Sequence, residues 1–345
     1  MNTYWKIDTH GDPIGTVQVF VQAVWAQTGL DGLLTSTNGG YKPRLLENPE
    51  AVAHVNPFRP LMTENLAQSV PDTLRESSER RLGVMLRPCE MRALIEMSKR
   101  QPIPRDRLVT ICLDCLGTYP TEEYEWRVGR KGSPENLTND ALKFARQGGI
   151  LAYRYRTACQ ICADPGAHSA DLNIHVLGLP VRQEILIQAG DLGNGESPKL
   201  VSAIDLAALT NGPASPELIQ QHQHVLAKQA ERHHQTMERV MQVLEDLLPK
   251  NVEEMAIQLE NCGDCQQCMS VCPICSVDYP SRDSAGHYDR HTIQRWLVSC
   301  AGCGMCEQAC TSNLPLGVIF GSIREKLDEE LGYIPGRLWT ETLPL

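Results

Sequence analysis

The chain has 345 residues, of which 42% are hydrophobic, and this length suits roughly two packed domains. Its 42 acidic and 32 basic side chains give a net charge of −10 and an isoelectric point near 5.5. Such an acidic chain is not expected to follow the phosphates of a nucleic acid. We find no signal-peptide pattern and no apolar stretch of membrane-spanning length, so we expect a cytoplasmic protein without a membrane span.

The first 130 residues alternate helical and extended patterns, which indicates an α/β fold. In chain order, the predicted elements are a helix over 14–27, a strand over 32–34, a strand over 82–86, a helix over 90–100 and a strand over 108–113. The last three elements form a βαβ unit, which predicts a parallel pair of strands. The polar, glycine-bearing segment 121–134 predicts a loop.

A long helix is predicted in the second half of the chain. Ser215 and the Pro216 after it form a strong helix start, and no proline or glycine follows before Pro249. We therefore expect about 33 helical residues, roughly 50 Å in length. The pair Asn251 and Glu254 then predicts a capped second helix that leads to a cysteine-rich region. Four histidines of the long helix are expected on a solvated face: His222, His224, His233 and His234.

Cysteine is the residue type that points to chemistry. The chain has fourteen cysteines, and eight of them fall into two near-copies of a C-x2-C-x2-C-x3-C pattern. Such a run binds a [4Fe–4S] cluster through its first three cysteines, while the fourth reaches the neighbouring cluster. By this rule, the first cluster is predicted on Cys262, Cys265, Cys268 and Cys310. The second cluster is predicted on Cys300, Cys303, Cys306 and Cys272.

These patterns divide the chain into three predicted parts. An α/β domain occupies 1–210, a connector helix 215–250, and a ferredoxin-like α+β module with two clusters 251–345. Cys275 is surplus to the pattern and is expected as a spare thiol beside a cluster. After the last cysteine, an apolar stripe at helical spacing is expected to pack the module: Leu316, Ile319, Phe320, Ile323 and Leu327.

The other five cysteines lie in the α/β part, each at a predicted strand end or turn. They are Cys89, Cys112, Cys115, Cys159 and Cys162. From the residues alone, zinc, a third iron–sulfur cluster and a redox-active dithiol all remain open for this group.

The order of these motifs resembles the beta-subunit family of coenzyme F-420-reducing hydrogenase and formate dehydrogenase. The residues that carry the resemblance are Pro88-Cys89-Glu90, Cys115 with Tyr119, and Cys159, Cys162, Asp164, Ala170 and Asp171, and the likeness extends roughly from 14 to 337. The resemblance implies a third [4Fe–4S] cluster on Cys89, Cys115, Cys159 and Cys162. Cys112 remains a rival to Cys115.

The chain departs from the family pattern after its Ala-Asp segment. The flavin-binding members have a glycine- and serine-rich turn there, where backbone amides approach a phosphate. Here Gly178 is followed by Pro180, which has no amide donor. This departure weakens the case for FAD and for a deazaflavin site.

The resemblance implies an iron–sulfur electron-transfer subunit of an oxidoreductase complex. It would pass electrons between a catalytic subunit of formate dehydrogenase or hydrogenase type and an acceptor protein, with heterodisulfide-reductase-like proteins as further partners. No residue of this chain is assigned a catalytic role. The alternative is an FAD-containing oxidoreductase subunit that reduces or oxidises a deazaflavin or similar two-electron carrier, with Glu90, Asp164, Asp171 or His175 near the flavin.

Overall fold

A computed structural model describes residues 3–38, 40–148, 154–190, 201–262 and 265–345. Within them, the strands are β1 (Tyr4–Asp8), β2 (Gly32–Ser36), β3 (Pro43–Leu46), β4 (Leu82–Leu86), β5 (Leu108–Leu113), β6 (Leu172–His175) and β7 (Glu184–Ala189). The helices are α1 (Pro13–Thr28), α2 (Ser69–Arg75), α3 (Pro88–Ser98), α4 (Thr121–Lys131), α5 (Pro134–Leu142), α6 (Thr157–Gln160), α7 (Leu206–Leu209), α8 (Pro216–Val243), α9 (Val252–Asn261), α10 (Gln267–Ser270), α11 (Arg290–Leu297), α12 (Met305–Ala309) and α13 (Leu316–Leu331). None of these described helices combines the length and the apolar character needed to cross a membrane.

The strands form one sheet with the spatial order β1-β7-β6-β5-β4-β2-β3. Its four central strands, β6, β5, β4 and β2, run parallel to one another, and the outer strands are antiparallel to their neighbours. The predicted βαβ unit is β4-α3-β5, so the α/β fold class is confirmed. Parallel strands place their carboxyl ends on one edge of the sheet, where α/β folds tend to bind cofactors.

The predicted first helix and last helix bury the expected faces. α1 ends before Gly29, and its buried apolar residues include Val17, Phe20, Val21, Val24 and Trp25. In α13 the predicted apolar stripe is buried throughout: Leu316, Ile319, Phe320, Ile323 and Leu327. Asn251 caps α9 as predicted, because its side chain accepts the backbone N–H of Glu254 at 2.9 Å.

The loop predicted over 121–134 is wrong, because α4 occupies most of it. Acidic residues in the first turn of α4 and basic residues in its last turn complement the helix dipole. Arg127 also donates to Glu123 one turn away, at 2.7 Å. Tyr124 is the buried residue of this helix. An almost wholly polar helix has little hydrophobic periodicity, so the sequence pattern could not indicate it.

The long helix α8 is shorter and less solvated than predicted. Ser215 caps its start as expected, but the helix ends at Val243, and a 3-10 turn over Glu245–Leu247 follows. His222 is buried and hydrogen-bonded through Nδ1 to the carbonyl of Leu177 at 2.7 Å. The expected solvated face is therefore wrong at His222, because α8 packs against the turn that follows β6.

Helix α3 joins the sheet to the C-terminal part of the chain through charged side chains. Arg92 and Glu96 lie four residues apart on one face of α3, and Arg100 extends this row in the turn after the helix. We call these three residues the α3 charged face. Arg92 donates to the carbonyl of Ala301, and Arg100 donates to the carbonyl of Arg295. Ala301 lies within the second cysteine run, and Arg295 lies in α11, directly before that run.

Glu96 is the centre of the α3 charged face and is fully buried. Its carboxylate accepts hydrogen bonds from the hydroxyls of Ser299 at 2.5 Å and Tyr333 at 2.7 Å, and from the N–H of Gly336 at 2.8 Å. Lys99 Nζ lies 2.8 Å away and supplies a positive charge. A buried carboxylate is tolerated when it is paired and hydrogen-bonded in this way. This network fixes the C-terminal part of the chain on α3.

Replacing Glu96 with glutamine should strongly destabilise the fold, because the buried Lys99 then loses its nearer counter-charge at 2.8 Å and keeps the more distant Glu341 at 3.9 Å. We expect the free energy of unfolding to fall by about 3–5 kcal/mol, measured by anaerobic denaturant titration with tryptophan fluorescence. Glu76→Gln is the control, since it removes an exposed pair with Arg80 and should cost less than about 1 kcal/mol. Equal losses in the two variants would contradict this role of Glu96.

Candidate metal centres

Four cysteines of the α/β part line one cavity of about 330 Å³. Cys89 lies in the first turn of α3, directly after β4, and Cys115 follows the adjacent strand β5. Cys159 belongs to α6, and Cys162 to the turn after it. The sheet therefore supplies two thiols from neighbouring strand ends, and the α6 turn supplies two more. These are the four cysteines that the resemblance implies as a ligand set.

Cys112 does not line this cavity. It lies within β5, is fully buried and belongs to the hydrophobic core. Burial raises the pKa of its thiol well above the ordinary value. Of the two rivals in the sequence, Cys115 is the one that the fold brings to the other three cysteines.

A buried arginine, Arg156, places a positive charge beside one cysteine of the cavity. Arg156 Nη2 lies 3.6 Å from Cys159 Sγ, and the hydroxyl of Thr118 lies 3.3 Å from the same sulphur. Burial alone would raise the pKa of Cys159, but Arg156 and Thr118 bring it below the ordinary value. By contrast, burial and the neighbouring Cys159 raise the pKa of Cys115 to about 12. Arg156 therefore favours a thiolate at Cys159.

A second buried arginine, Arg92, lies beside the turn that carries Cys162. Arg92 Nη1 donates to both the carboxylate and the carbonyl of Asp164, each at 2.9 Å. Burial opposes the charge of Asp164, but the hydrogen bond from His168 and the charge of Arg92 lower the pKa of this carboxyl to about 2. Arg92 also interacts with the sulphur of Cys162. The pair thus fixes the turn that carries Cys162.

The two C-terminal cysteine runs fold into matching short segments. Cys268 lies in α10 and Cys306 in α12, and these two helices pack against each other. A left-handed residue precedes each helix at the equivalent position, Gln266 with φ 46° and Gly304 with φ 68°. Residues 263–264 lie outside the described part of the chain. The sequence repeat therefore corresponds to a structural repeat.

The fourth cysteine of each run lies close to the other run. Burial is the main cause of the raised pKa of the three leading cysteines in the second run, and Cys272 from the first run adds to it. Conversely, Cys310 from the second run adds to the raised pKa of Cys262, after burial and Cys265. These neighbours are the ones that the crossed ligand sets require, and the ligation itself stays a prediction.

The sulphur of Cys272 is the best supplied with hydrogen bonds. It accepts from the thiol of Cys275 and from Trp296 Nε1 at 3.4 Å, and with the nearby backbone N–H groups these donors lower the pKa of Cys272 to about 7. Cys275 itself is buried, and burial raises the pKa of its thiol. Cys275 thus donates to Cys272, and its role as a spare thiol beside a cluster stays a prediction.

The three cysteine sets adjoin one another in a row that ends at the surface. Cys303 of the second run lines the same cavity as the four α/β cysteines. Cys268 of the first run is among the neighbours that raise the pKa of Cys306. At the far end, Cys262 and Cys265 are exposed to solvent. The order is therefore α/β cavity, second run, first run.

A buried cluster of one aspartate and two histidines lies behind the Cys115 turn. Asp114, His175 and His222 offer ligand atoms within 4.8 Å of one another, as a metal site would. Both carboxylate oxygens of Asp114 already accept backbone N–H groups, at 2.8–2.9 Å. Although burial opposes its charge, His175 and His222 help to lower the pKa of Asp114 to about 2. The cluster therefore fits a structural role, which anchors the residue before Cys115 to α8.

The turn that departs from the flavin-binding pattern is packed against α8. Gly178 has φ 80°, and a Cβ there would lie 2.9 Å from the carbonyl oxygen of Gln221 and 3.0 Å from the Cα of His222. The backbone of this turn is therefore in close contact with α8.

No family model matches the chain. The F420-dependent formate dehydrogenase subunit beta of Methanocaldococcus jannaschii is 22% identical over 301 residues, which cover 75% of this chain and 74% of the relative. The F420-dependent formate dehydrogenase 1 subunit beta of Methanococcus maripaludis is 25% identical over 295 residues, which cover 74% and 73%. The resemblance to the beta-subunit family is confirmed.

Two charged residues near the cysteines of this chain were not indicated by its cysteine motifs. Arg92 interacts with Cys162 and Arg156 with Cys159, yet neither arginine belongs to a motif that the sequence singles out. A signal exists in hindsight, because Arg92 follows Cys89 by three residues and Arg156 precedes Cys159 by three. A charged residue three positions from a ligand-type cysteine is a local signal that both arginines share.

The buried His222 should make the stability of this protein depend on pH. Burial lowers the pKa of His222 below its ordinary value, although Asp114 opposes the shift. The unfolded chain therefore binds more protons, and stability is lost as the pH falls below about 6.5. His222→Asn keeps a donor for Leu177 but cannot be protonated, so its melting temperature should fall less between pH 8 and pH 5.5.

The matched control is His224→Asn, which changes an exposed histidine of the same helix. It should follow the wild-type pH dependence. If His222→Asn lost as much stability on acidification as the wild type, the buried histidine would not be the source of the dependence.

Proposed function

We propose that this chain is the iron–sulfur electron-transfer subunit of an oxidoreductase complex, with three [4Fe–4S] clusters. The proposed ligand sets are Cys89, Cys115, Cys159 and Cys162; Cys300, Cys303, Cys306 and Cys272; and Cys262, Cys265, Cys268 and Cys310. When bound, such a cluster accepts and gives up one electron at a time. The chain supplies the thiolates, the burial and the hydrogen bonds that tune the potential.

The convergence of four cysteines on one cavity carries the proposal. They come from two strand ends and one turn, so sequence proximity does not explain their meeting. A tetrahedral zinc ion also takes four thiolates, but it draws them to about 2.3 Å from a single ion. A cavity of about 330 Å³ offers room for a cubane. The buried Arg156 and Arg92 also suit an anionic thiolate cluster.

The arrangement of the three sets supports a relay. Cys303 borders the α/β cavity, and Cys306 of the same run lies near Cys268 of the first run. The first run reaches the surface at its first two cysteines, Cys262 and Cys265. We propose that electrons pass between these sets in that order, and that a partner protein exchanges electrons at the exposed first run.

The relatives suggest the class of that partner. Both are named as beta subunits of F420-dependent formate dehydrogenases. We propose a catalytic subunit of formate dehydrogenase or hydrogenase type as one partner of this chain and an acceptor protein, such as a heterodisulfide-reductase-like protein, as another.

Iron content tests the cavity set directly. The anaerobically purified wild type should hold about 12 irons, as three cubanes of four. Cys115→Ala should lower this to about eight, because the α/β cluster loses a ligand. Cys112→Ala is the matched control, since it removes a buried thiol three residues away, and it should keep about 12. A wild type with about eight irons, or with zinc in the cavity, would contradict the third set.

Dye assays test the electron-transfer role. The isolated wild type should accept electrons from a reduced viologen and pass them to an acceptor dye, and it should leave formate and hydrogen unoxidised. Oxidation of either substrate by the isolated chain would contradict the assignment of the catalytic centre to another subunit.

A further inference from the structure

The buried arginines in the described part of the chain include Arg59, Arg92 and Arg156. The guanidinium of Arg59 is bound by the carbonyls of Thr37 and Gly40 and by the hydroxyl of Tyr124. The other two arginines instead lie between the α/β cysteine set and the second cysteine run. A buried charge is costly unless its surroundings compensate it, so their common location calls for an explanation.

Arg156 bridges the two cysteine sets on one side. Its Nη2 approaches Cys159 Sγ at 3.6 Å. Its Nη1 reaches Gln308 Oε1 at 3.3 Å and Met305 Sδ at 3.5 Å, and these two residues flank Cys306. One positive charge therefore faces a thiol of the α/β set and the α12 segment of the second run.

Arg92 bridges the same two sets on the other side. One end of its guanidinium binds Asp164, two residues after Cys162. Its Nε and Nη2 lie 3.3 Å and 3.2 Å from the carbonyl of Ala301, which stands between Cys300 and Cys303. The charge of Arg92 thus lies between two loops that carry cysteines of different sets.

The α/β set and the second run meet directly at this junction. Cys303 lines the α/β cavity, and Cys89 and Cys303 are close enough for the charge of one to act on the other. An arginine stays protonated in proteins, so both bridging charges are permanent. In a buried site, a fixed positive charge stabilises added negative charge more strongly than it would in water.

We propose that Arg92 and Arg156 are positioning residues that set the reduction potentials at this junction. Together they make reduction of the α/β cluster and of its neighbour on the second run more favourable. This inference rests on the proposed function, because it requires clusters on both sets. Asp164 partly neutralises Arg92 and is itself half-exposed, with a side-chain exposure of 50%. Its removal should therefore act in the opposite direction.

A redox titration of the full chain, followed by electron paramagnetic resonance, tests this inference. In Arg156→Met and Arg92→Met, reduction of the α/β cluster should become about tenfold less favourable, a midpoint about 59 mV lower for a one-electron couple. The affected signal is the one that Cys115→Ala removes. Asp164→Asn should shift the same signal to a higher potential. Arg59→Met is the control, since the guanidinium of this buried arginine binds Thr37, Gly40 and Tyr124 rather than the loops that carry the cysteines, and the potentials of this variant should match the wild type.

The outcomes separate the inference from the proposed function. A wild type without a cluster at the α/β set would refute both. Clusters present, with potentials unchanged in Arg156→Met and Arg92→Met or shifted equally in Arg59→Met, would overturn the inference and leave the proposed function standing. If the arginine variants lose iron, Asp164→Asn decides: a higher potential supports the inference, and an unchanged potential overturns it.

Discussion

The buried carboxylate of Glu96 is the contact that holds the two halves of this protein in one arrangement. Hydroxyls from Ser299 and Tyr333 and the N–H of Gly336 converge on it from the C-terminal part of the chain. Gly336 approaches α3 so closely that a Cβ there would lie 2.5 Å from the Cα of Arg92. Since such a carboxylate is stable only while these partners remain, the C-terminal part has one position on α3.

This constraint matters because α3 also carries the first cysteine of the α/β set. Cys89 lies in its first turn, and the α3 charged face then contacts residues directly before and within the second cysteine run. One helix of 11 residues, about 16 Å long, therefore fixes both sets relative to each other. Electron transfer between buried centres depends on a fixed separation, and a rigid helix supplies it without any moving part. The buried arginines at the junction add a fixed charge to this fixed geometry.

Much of the fold was predictable because the hydrophobic pattern of buried elements is strong. The strands around α3 and the apolar face of α1 follow from periodicity, and the two cysteine runs follow from spacing alone. Helix α4 could not be found this way, because its stability comes from charge placement and from Tyr124 rather than from an apolar face. The burial of His222 was hidden for a related reason, since a polar side chain enters the core only through the contact of α8 with the turn after β6.

The candidate site, like the fold, could be predicted only in part from the sequence. Resemblance indicated the four cysteines of the cavity, and the fold places them together. The choice between Cys112 and Cys115 needed the strand, because one lies within β5 and faces the core while the other follows its end. The spacing of Arg92 and Arg156 to a cysteine is local, but their bridging contacts join segments more than a hundred residues apart, and no local pattern indicates those partners.

Quantitative electron paramagnetic resonance of the fully reduced chain tests the central claim, that a cluster in the α/β cavity adjoins one on the second run. We expect about one unpaired electron for each of three clusters, with line broadening from magnetic interaction between neighbours. The broadening should involve the signal of the α/β cluster. Two signals without a third, or a third signal free of interaction with the others, would contradict this arrangement of clusters.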